Sequence, residues 1–168
     1  MKNRNIIDLF CGCGGFSRGF EDAGYTVELA IDNWKDAILT FNINHKKKSG
    51  ITRDIYDFTN EEIKEFGKVH DIKGIIGGPP CQGFSMVGKR EANDERNTLY
   101  LQYVRFVEQI KPEFFVLENV KGLLTLEKGR YKKDIINRFS KHGYNVICNV
   151  LKASDYGVPQ KRERVFFV

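Results

Sequence analysis

No stretch of this chain is apolar for long enough to cross a bilayer. Its longest run without a charged residue, 74–88, is interrupted by Pro79 and Pro80 and falls short of the ~18 apolar residues that a membrane helix needs. Near the basic N-terminus Asp8 cuts the one short apolar stretch, which argues against a secretory signal. Cysteines are few and badly spaced for scaffolding. Cys11 and Cys13 lie two apart, Cys81 and Cys148 stand alone, and no C-x-x-C pair occurs, so neither a disulfide framework nor a zinc site is expected. His45, His70 and His142 are scattered among polar neighbours and are not expected to bind metal. Repeats and low-complexity tracts are absent. What remains is a 168-residue chain, 41% hydrophobic and 29% charged, whose size and composition suit one globular domain and exclude intrinsic disorder. A cytoplasmic protein with reduced thiols is expected.

The net charge of +5 is unevenly spread: residues 129–168 hold 9 Lys and Arg against 3 Asp and Glu, whereas residues 1–128 hold 18 against 19. A basic C-terminal quarter favours a polyanionic partner there, although a solvated basic face has the same composition.

Apolar runs alternate with amphipathic stretches. Strands are expected at 5–9, 26–31, 51–55, 74–77, 114–118 and 144–151, with another opening at 164–168. Helices are expected at 14–23, 34–44, 60–67, 98–110 and 131–141. This rhythm describes a mostly parallel sheet with helices on both faces. Residues 78–97 show no periodicity, and so long a loop inside a compact domain is usually functional or disordered.

Three groups of residues carry chemistry. The segment Asp8-Leu9-Phe10-Cys11-Gly12-Cys13-Gly14-Gly15 follows the first strand and opens a helix, where glycines let backbone approach a ligand closely. Asp32 lies 20 residues beyond Gly12 at the end of the second strand, placed to accept from ribose hydroxyls. Trp34 is positioned to lie against an adenine and Asp54 to accept from its amino group. Singly, each would equally serve as a helix cap or core aromatic; together they mark the carboxyl edge of the sheet, where open α/β folds bind ligands. An adenosine-containing cofactor is expected.

The second group is Gly77-Gly78-Pro79-Pro80-Cys81-Gln82-Gly83. A proline-stiffened turn there presents a cysteine at the sheet edge as a thiolate candidate; the alternative is an inert buried thiol. The third combines Glu118-Asn119-Val120, closing an apolar strand, with Arg162 and Arg164 on one face of the last strand. Burial raises a carboxyl pKa so that it can donate a proton near neutrality. Paired arginines suit a carbonyl oxygen or a phosphate.

With these motifs in this order, from about residue 5 to residue 168, the chain resembles the catalytic domain of the cytosine-5 DNA methyltransferases. The resemblance implies a Rossmann-like, S-adenosylmethionine-dependent methyltransferase sheet, with residues 1–168 forming the catalytic and cofactor-binding domain. It implies Cys81 as the nucleophile that adds to cytosine C6, Glu118 as the group engaging N3 and the exocyclic amine, and Arg164, with Arg162 nearby, as the holder of O2. The cofactor set carried over is Phe10, Gly12, Gly14, Gly15, Asp32, Trp34, Asp54, Ile55, Pro80 and Leu99. The partner implied is double-stranded DNA, from which the target base is flipped, commonly within a restriction–modification system. The loop 82–97, with Gly83 and Gly88 as pivots and Lys89 and Arg90 as phosphate contacts, would close over that base.

The family continues past the last matched motif into a target-recognition region and a closing segment. The expectation is therefore a C-terminally truncated catalytic part, completed by further chain or by a second polypeptide and weak when alone. A nicotinamide-dependent dehydrogenase would share the glycine-rich turn and Asp32 but not the Pro80-Cys81 and Glu118 motifs. A transfer-RNA cytosine methyltransferase or an inactive subunit would share more.

Overall fold

The computed structural model describes residues 3–80 and 99–168. Cys81 and the loop 82–97 lie outside the described residues. Two periodicities build the architecture. Short β-branched runs give β1 (Asn5–Leu9), β2 (Thr26–Asp32), β3 (Gly50–Thr52) and β4 (Gly74–Gly77). The alternating segment Phe114–Val120 forms β5, and Cys148–Lys152 and Glu163–Phe167 form β6 and β7. Between them lie α1 (Gly15–Asp22), α2 (Lys35–Asn44), α3 (Asn60–Val69), α4 (Leu99–Ile110) and α5 (Arg130–Lys141). The start of α3 is set by a capping box: Thr59 Oγ1 accepts from the Glu62 N–H at 3.1 Å, and the Glu62 carboxylate accepts from the Thr59 N–H at 2.8 Å, satisfying two donors of the first turn. No helix among the described residues is long and apolar enough to cross a membrane.

One seven-stranded sheet runs in the order β3-β2-β1-β4-β5-β7-β6. Strand parity divides its core in two. Ile7, Leu9, Ile75, Phe115 and Leu117 pack under α3, α4 and α5, while Ile6, Ile76, Phe114 and Val116 pack under α1 and α2. The parity slips once: Ile6 pairs with Val27 but Ile7 with Leu29. The bulge turns the extra residue, Glu28, onto Lys47 and His70 while restoring Leu29 and Ile31 to the face beneath α3.

β1 to β5 are parallel, as expected, but β7 runs antiparallel between β5 and β6. The ten residues between β6 and β7 are too few for the dozen or more that a parallel crossover needs. The sixth strand also begins later than its aromatic and aliphatic run predicts. Tyr144 packs edge-on against Phe115 and donates its hydroxyl to the Pro112 carbonyl at 2.7 Å, so it plugs the end of the core beside α5 rather than joining the ladder.

Strand order reverses between β1 and β4, whose outer neighbours are β2 and β5. At such a switch point adjacent loops diverge and open a crevice at the carboxyl ends of the strands.

Candidate active site

Two cavities open at that switch point and share Phe10, after β1, and Gly78, after β4. Phe10 has a positive φ of 60°, a left-handed conformation uncommon outside glycine and often retained where function requires it. Gly12 and Gly14 follow with φ of 52° and 89°, so the turn into α1 alternates into left-handed space. At Gly14 a Cβ would also overlap the ring of His45, the residue that ends α2. Gly78 is held close to β5, and a Cβ there would lie 3.0 Å from Glu118 Oε2.

The smaller cavity, about 140 Å³, is lined by Phe10, Asp32, Asp54, Ile55, Pro80 and Leu99 among others. Six of the ten residues carried over for the cofactor thus meet in one place. Asp32 is anchored from both sides: Oδ2 accepts from the Gly12 N–H and Oδ1 from the Trp34 N–H, each at 2.9 Å. Each oxygen retains a lone pair for a hydroxyl. Asp54 caps the short turn Ile55–Asp57 through the Tyr56 N–H at 3.0 Å. The Ile55 carbonyl is held by Arg105 at 2.8 Å. Trp34 is 64% exposed and lines neither cavity; Asn33 lines the smaller one instead. Gly12 and Gly14 line neither, and they shape the turn whose far end, Gly15, lines the larger.

The larger cavity, about 510 Å³, brings Gly15 and Phe16 of α1 together with Asp8, Glu118, Arg162 and Arg164. Arg164 Nε lies 3.0 Å from Glu118 Oε1 and Arg162 Nη2 lies 3.9 Å from it. Arg164 lies in β7 and Arg162 immediately precedes it, and the antiparallel register sets Glu118 opposite Phe166. The Glu118 carboxyl pKa is raised because burial outweighs the opposing pull of the arginines, as expected for a proton donor. Next to it Asn119, 4% exposed, donates from Nδ2 to the Pro79 carbonyl at 3.1 Å. That bond ties β5 to the backbone two residues before Cys81.

Asp8 and Gly78 fall inside the motifs read from the sequence without a role of their own, and Tyr156 falls outside them. Asp8 is buried in β1 and accepts from Ser17 Oγ at 2.6 Å. As the one charge in an apolar strand it carries a signal, but which cavity it meets depends on the parity of β1. Gly78 is visible only as part of a glycine–proline cluster, and Tyr156, beyond β6, carries no signal at all.

Comparison with known proteins finds relatives across nearly the whole chain. The sequence pattern of the family described as C-5 cytosine-specific DNA methylase matches residues 4–168. Type II methyltransferase M.DdeI of Desulfomicrobium norvegicum is 52% identical over 98% of this chain and 40% of its own length. M.AquIA of a Picosynechococcus species is 39% identical, and the chain covers 71% of it. Among solved structures, a protein described as a DNA modification methyltransferase encoded within an E. coli prophage superimposes with a TM-score of 0.82 at 40% identity, over 97% of this chain and 45% of the other. The chain thus spans less than half the length of most of the curated relatives it matches.

Proposed function

The chain belongs to the C-5 cytosine-specific DNA methylase family, and from that premise we propose that these residues are the catalytic and cofactor-binding part of a DNA cytosine-5 methyltransferase of a type II restriction–modification system. The observation that carries this is the shared wall of Phe10 and Gly78. It joins a cavity bordered by Asp32, Asp54 and Pro80 to one holding Glu118, Arg162 and Arg164, and Cys81 follows Pro80 directly in the chain.

The residues fit S-adenosylmethionine. Asp32 offers lone pairs to the ribose, Asp54 and Ile55 border the adenine end, and Phe10, Pro80 and Leu99 supply apolar walls. When bound, the cofactor supplies an electrophilic methyl group on a positively charged sulfur. The chain's own residues prepare the other reactant. The Cys81 thiolate forms a bond to C6 of a cytosine swung out of the duplex. That addition pushes electron density towards C5, N3 and O2. Glu118 is the group placed to present a proton to N3, and its burial favours the protonated form by raising its pKa. Arg164 and Arg162 place positive charge beside O2. Carbon 5 then takes the methyl group, loses its proton to a base, and the cysteine leaves as thiolate.

The region that reads the DNA sequence lies outside these residues, on a continuation of the polypeptide or on a second one. The basic final quarter supports DNA as the partner. The test is trapping on duplex DNA containing 5-fluorocytosine, using these residues together with the recognition region. Elimination is blocked there because fluorine cannot leave as a proton does, so a covalent protein–DNA adduct is expected. Cys81→Ser should abolish it. An adduct that persists in the serine variant, or one formed on transfer RNA and not on DNA, would overturn the reading.

A further inference from the structure

We propose that Asp8 is the acceptor for the α-ammonium group at the amino-acid end of the cofactor, and that cofactor uptake expels a proton which Asp8 holds in the free protein. This rests on the cofactor assignment above and deepens it.

Asp8 is 1% exposed, and its two oxygens are treated differently. Oδ2 accepts from Ser17 Oγ at 2.6 Å. Oδ1 is buried with no hydrogen-bond partner. A buried anionic oxygen without a donor costs a large part of its hydration energy. It must therefore carry a proton or receive a donor from a ligand. No Lys or Arg among the described residues makes an ion pair with Asp8.

The groups facing it from the neighbouring elements do not supply a donor. Asp32 on β2 repels its charge, as do the Cys11 thiol after β1 and the Tyr103 phenol of α4 when ionised. The Tyr103 hydroxyl is spent on the Ile75 carbonyl at 2.7 Å. Glu118 on β5 lies in the same cavity with Arg164 and Arg162 of the β7 edge, and those cations are engaged with Glu118. Burial accordingly pushes the Asp8 carboxyl up to about 7.

The position matches a zwitterion. With the adenosine end in the smaller cavity, the shared wall of Phe10 and Gly78 directs the amino-acid end into the larger one, where Asp8 meets the start of α1. Gly14, which precedes α1, provides no side-chain cap. The first turn of a helix carries N–H groups without intrahelical acceptors and suits a carboxylate. Beside those donors an acidic oxygen in need of a donor suits the ammonium. Seated there, Asp8 is ionised, so its proton must leave.

The test compares two ligands at two pH values. S-adenosylmethionine carries the amino-acid end; 5′-methylthioadenosine has the adenosine and thioether but lacks it. Below pH 7 the ligand's own ammonium stays charged. Titration calorimetry in buffers of different ionisation enthalpy should show S-adenosylmethionine releasing close to one proton at pH 5.5. It should bind roughly tenfold more tightly at pH 7 than at pH 5.5, because the competent ionised fraction of Asp8 grows. 5′-Methylthioadenosine should show neither effect. Asp8→Asn keeps an acceptor for Ser17 and should abolish proton release, weaken S-adenosylmethionine roughly tenfold at pH 7, and leave 5′-methylthioadenosine within twofold. The ¹³C resonance of the Asp8 carboxyl should titrate near 7 in the free protein and well below that with S-adenosylmethionine bound. Equal losses for both ligands would reduce Asp8 to a cap of α1 and overturn the proposal, as would an unshifted titration. Failure of the wild-type chain to bind either ligand would overturn the cofactor assignment and this inference with it.

Discussion

The parallel part of the sheet and its antiparallel edge face the same crevice with opposite charge. β1, β2 and the turn after β3 contribute three acids, Asp8, Asp32 and Asp54, and one cation, Arg53, which is paired with Glu62. The hairpin of β6 and β7 contributes Arg162 and Arg164. The two meet at Glu118, the last charged group of the parallel set, which touches Arg164 at 3.0 Å. A cationic sulfonium ligand and an electron-rich, partly anionic pyrimidine need opposite surroundings. Under the proposed function, this division of the sheet would give each its own surroundings.

The largest effect should come from the seam itself. Glu118→Gln removes the proton donor while keeping volume, and methylation should fall ~10²–10⁴-fold. S-adenosylmethionine affinity should change little, since Glu118 belongs to the substrate end. In the wild type the donor is needed protonated and its pKa is raised. Activity should therefore decline as pH climbs through that raised value, and the glutamine variant should lose this alkaline limb. A variant that binds cofactor poorly but retains the limb would place Glu118 on the wrong side of the divide.

Arg164→Ala breaks the contact between the two regions and should cost ~10–100-fold in rate, a typical loss for a charge-assisted contact to developing charge. With its nearest cation gone, Glu118 should hold its proton more tightly, and the alkaline limb should move upward. Arg164→Lys restores charge but not the planar fork and should recover only part of the rate. Were Arg164 merely a phosphate contact, the variant would reduce the salt dependence of DNA binding and leave the pH profile unmoved.

How much of this was legible before the fold was known differs between the same two regions. In the parallel part, position at the carboxyl end of a strand marks the candidate residues: Asp32 closes β2 and Glu118 lies near the end of β5. Arg162 and Arg164 are two apart, but periodicity carries no information about strand direction. Their approach to Glu118 depends on β7 inserting antiparallel between β5 and β6, a consequence of a short connection rather than of any residue type. Tyr144 misleads for a related reason: an aromatic among aliphatics satisfies a strand pattern as well as it fills the gap beside Phe115 and Phe139. Asp8 belongs to a quoted motif, but its place in the cavity stayed hidden because a lone acid in an apolar strand does not reveal whether its parity faces a helix or a cleft. The slip at Glu28 shows how easily parity shifts.

The smallest effect tests where local adjacency and cavity geometry disagree. Trp34 stands two residues past Asp32 and is the residue expected to lie against the adenine, and its N–H does bond the Asp32 carboxylate at 2.9 Å. Its side chain, however, is 64% exposed and outside both cavities, while Asn33 lines the adenosine side. The backbone of Trp34 thus orients Asp32 whatever the ring does. Trp34→Ala preserves that backbone bond, so S-adenosylmethionine affinity should weaken by less than about threefold, below the ~1 kcal/mol expected of an engaged aromatic stack. A tenfold loss measured by calorimetry would show that the indole swings onto the adenine when cofactor binds, extending the acidic region's pocket by an aromatic wall that the free protein leaves in solvent.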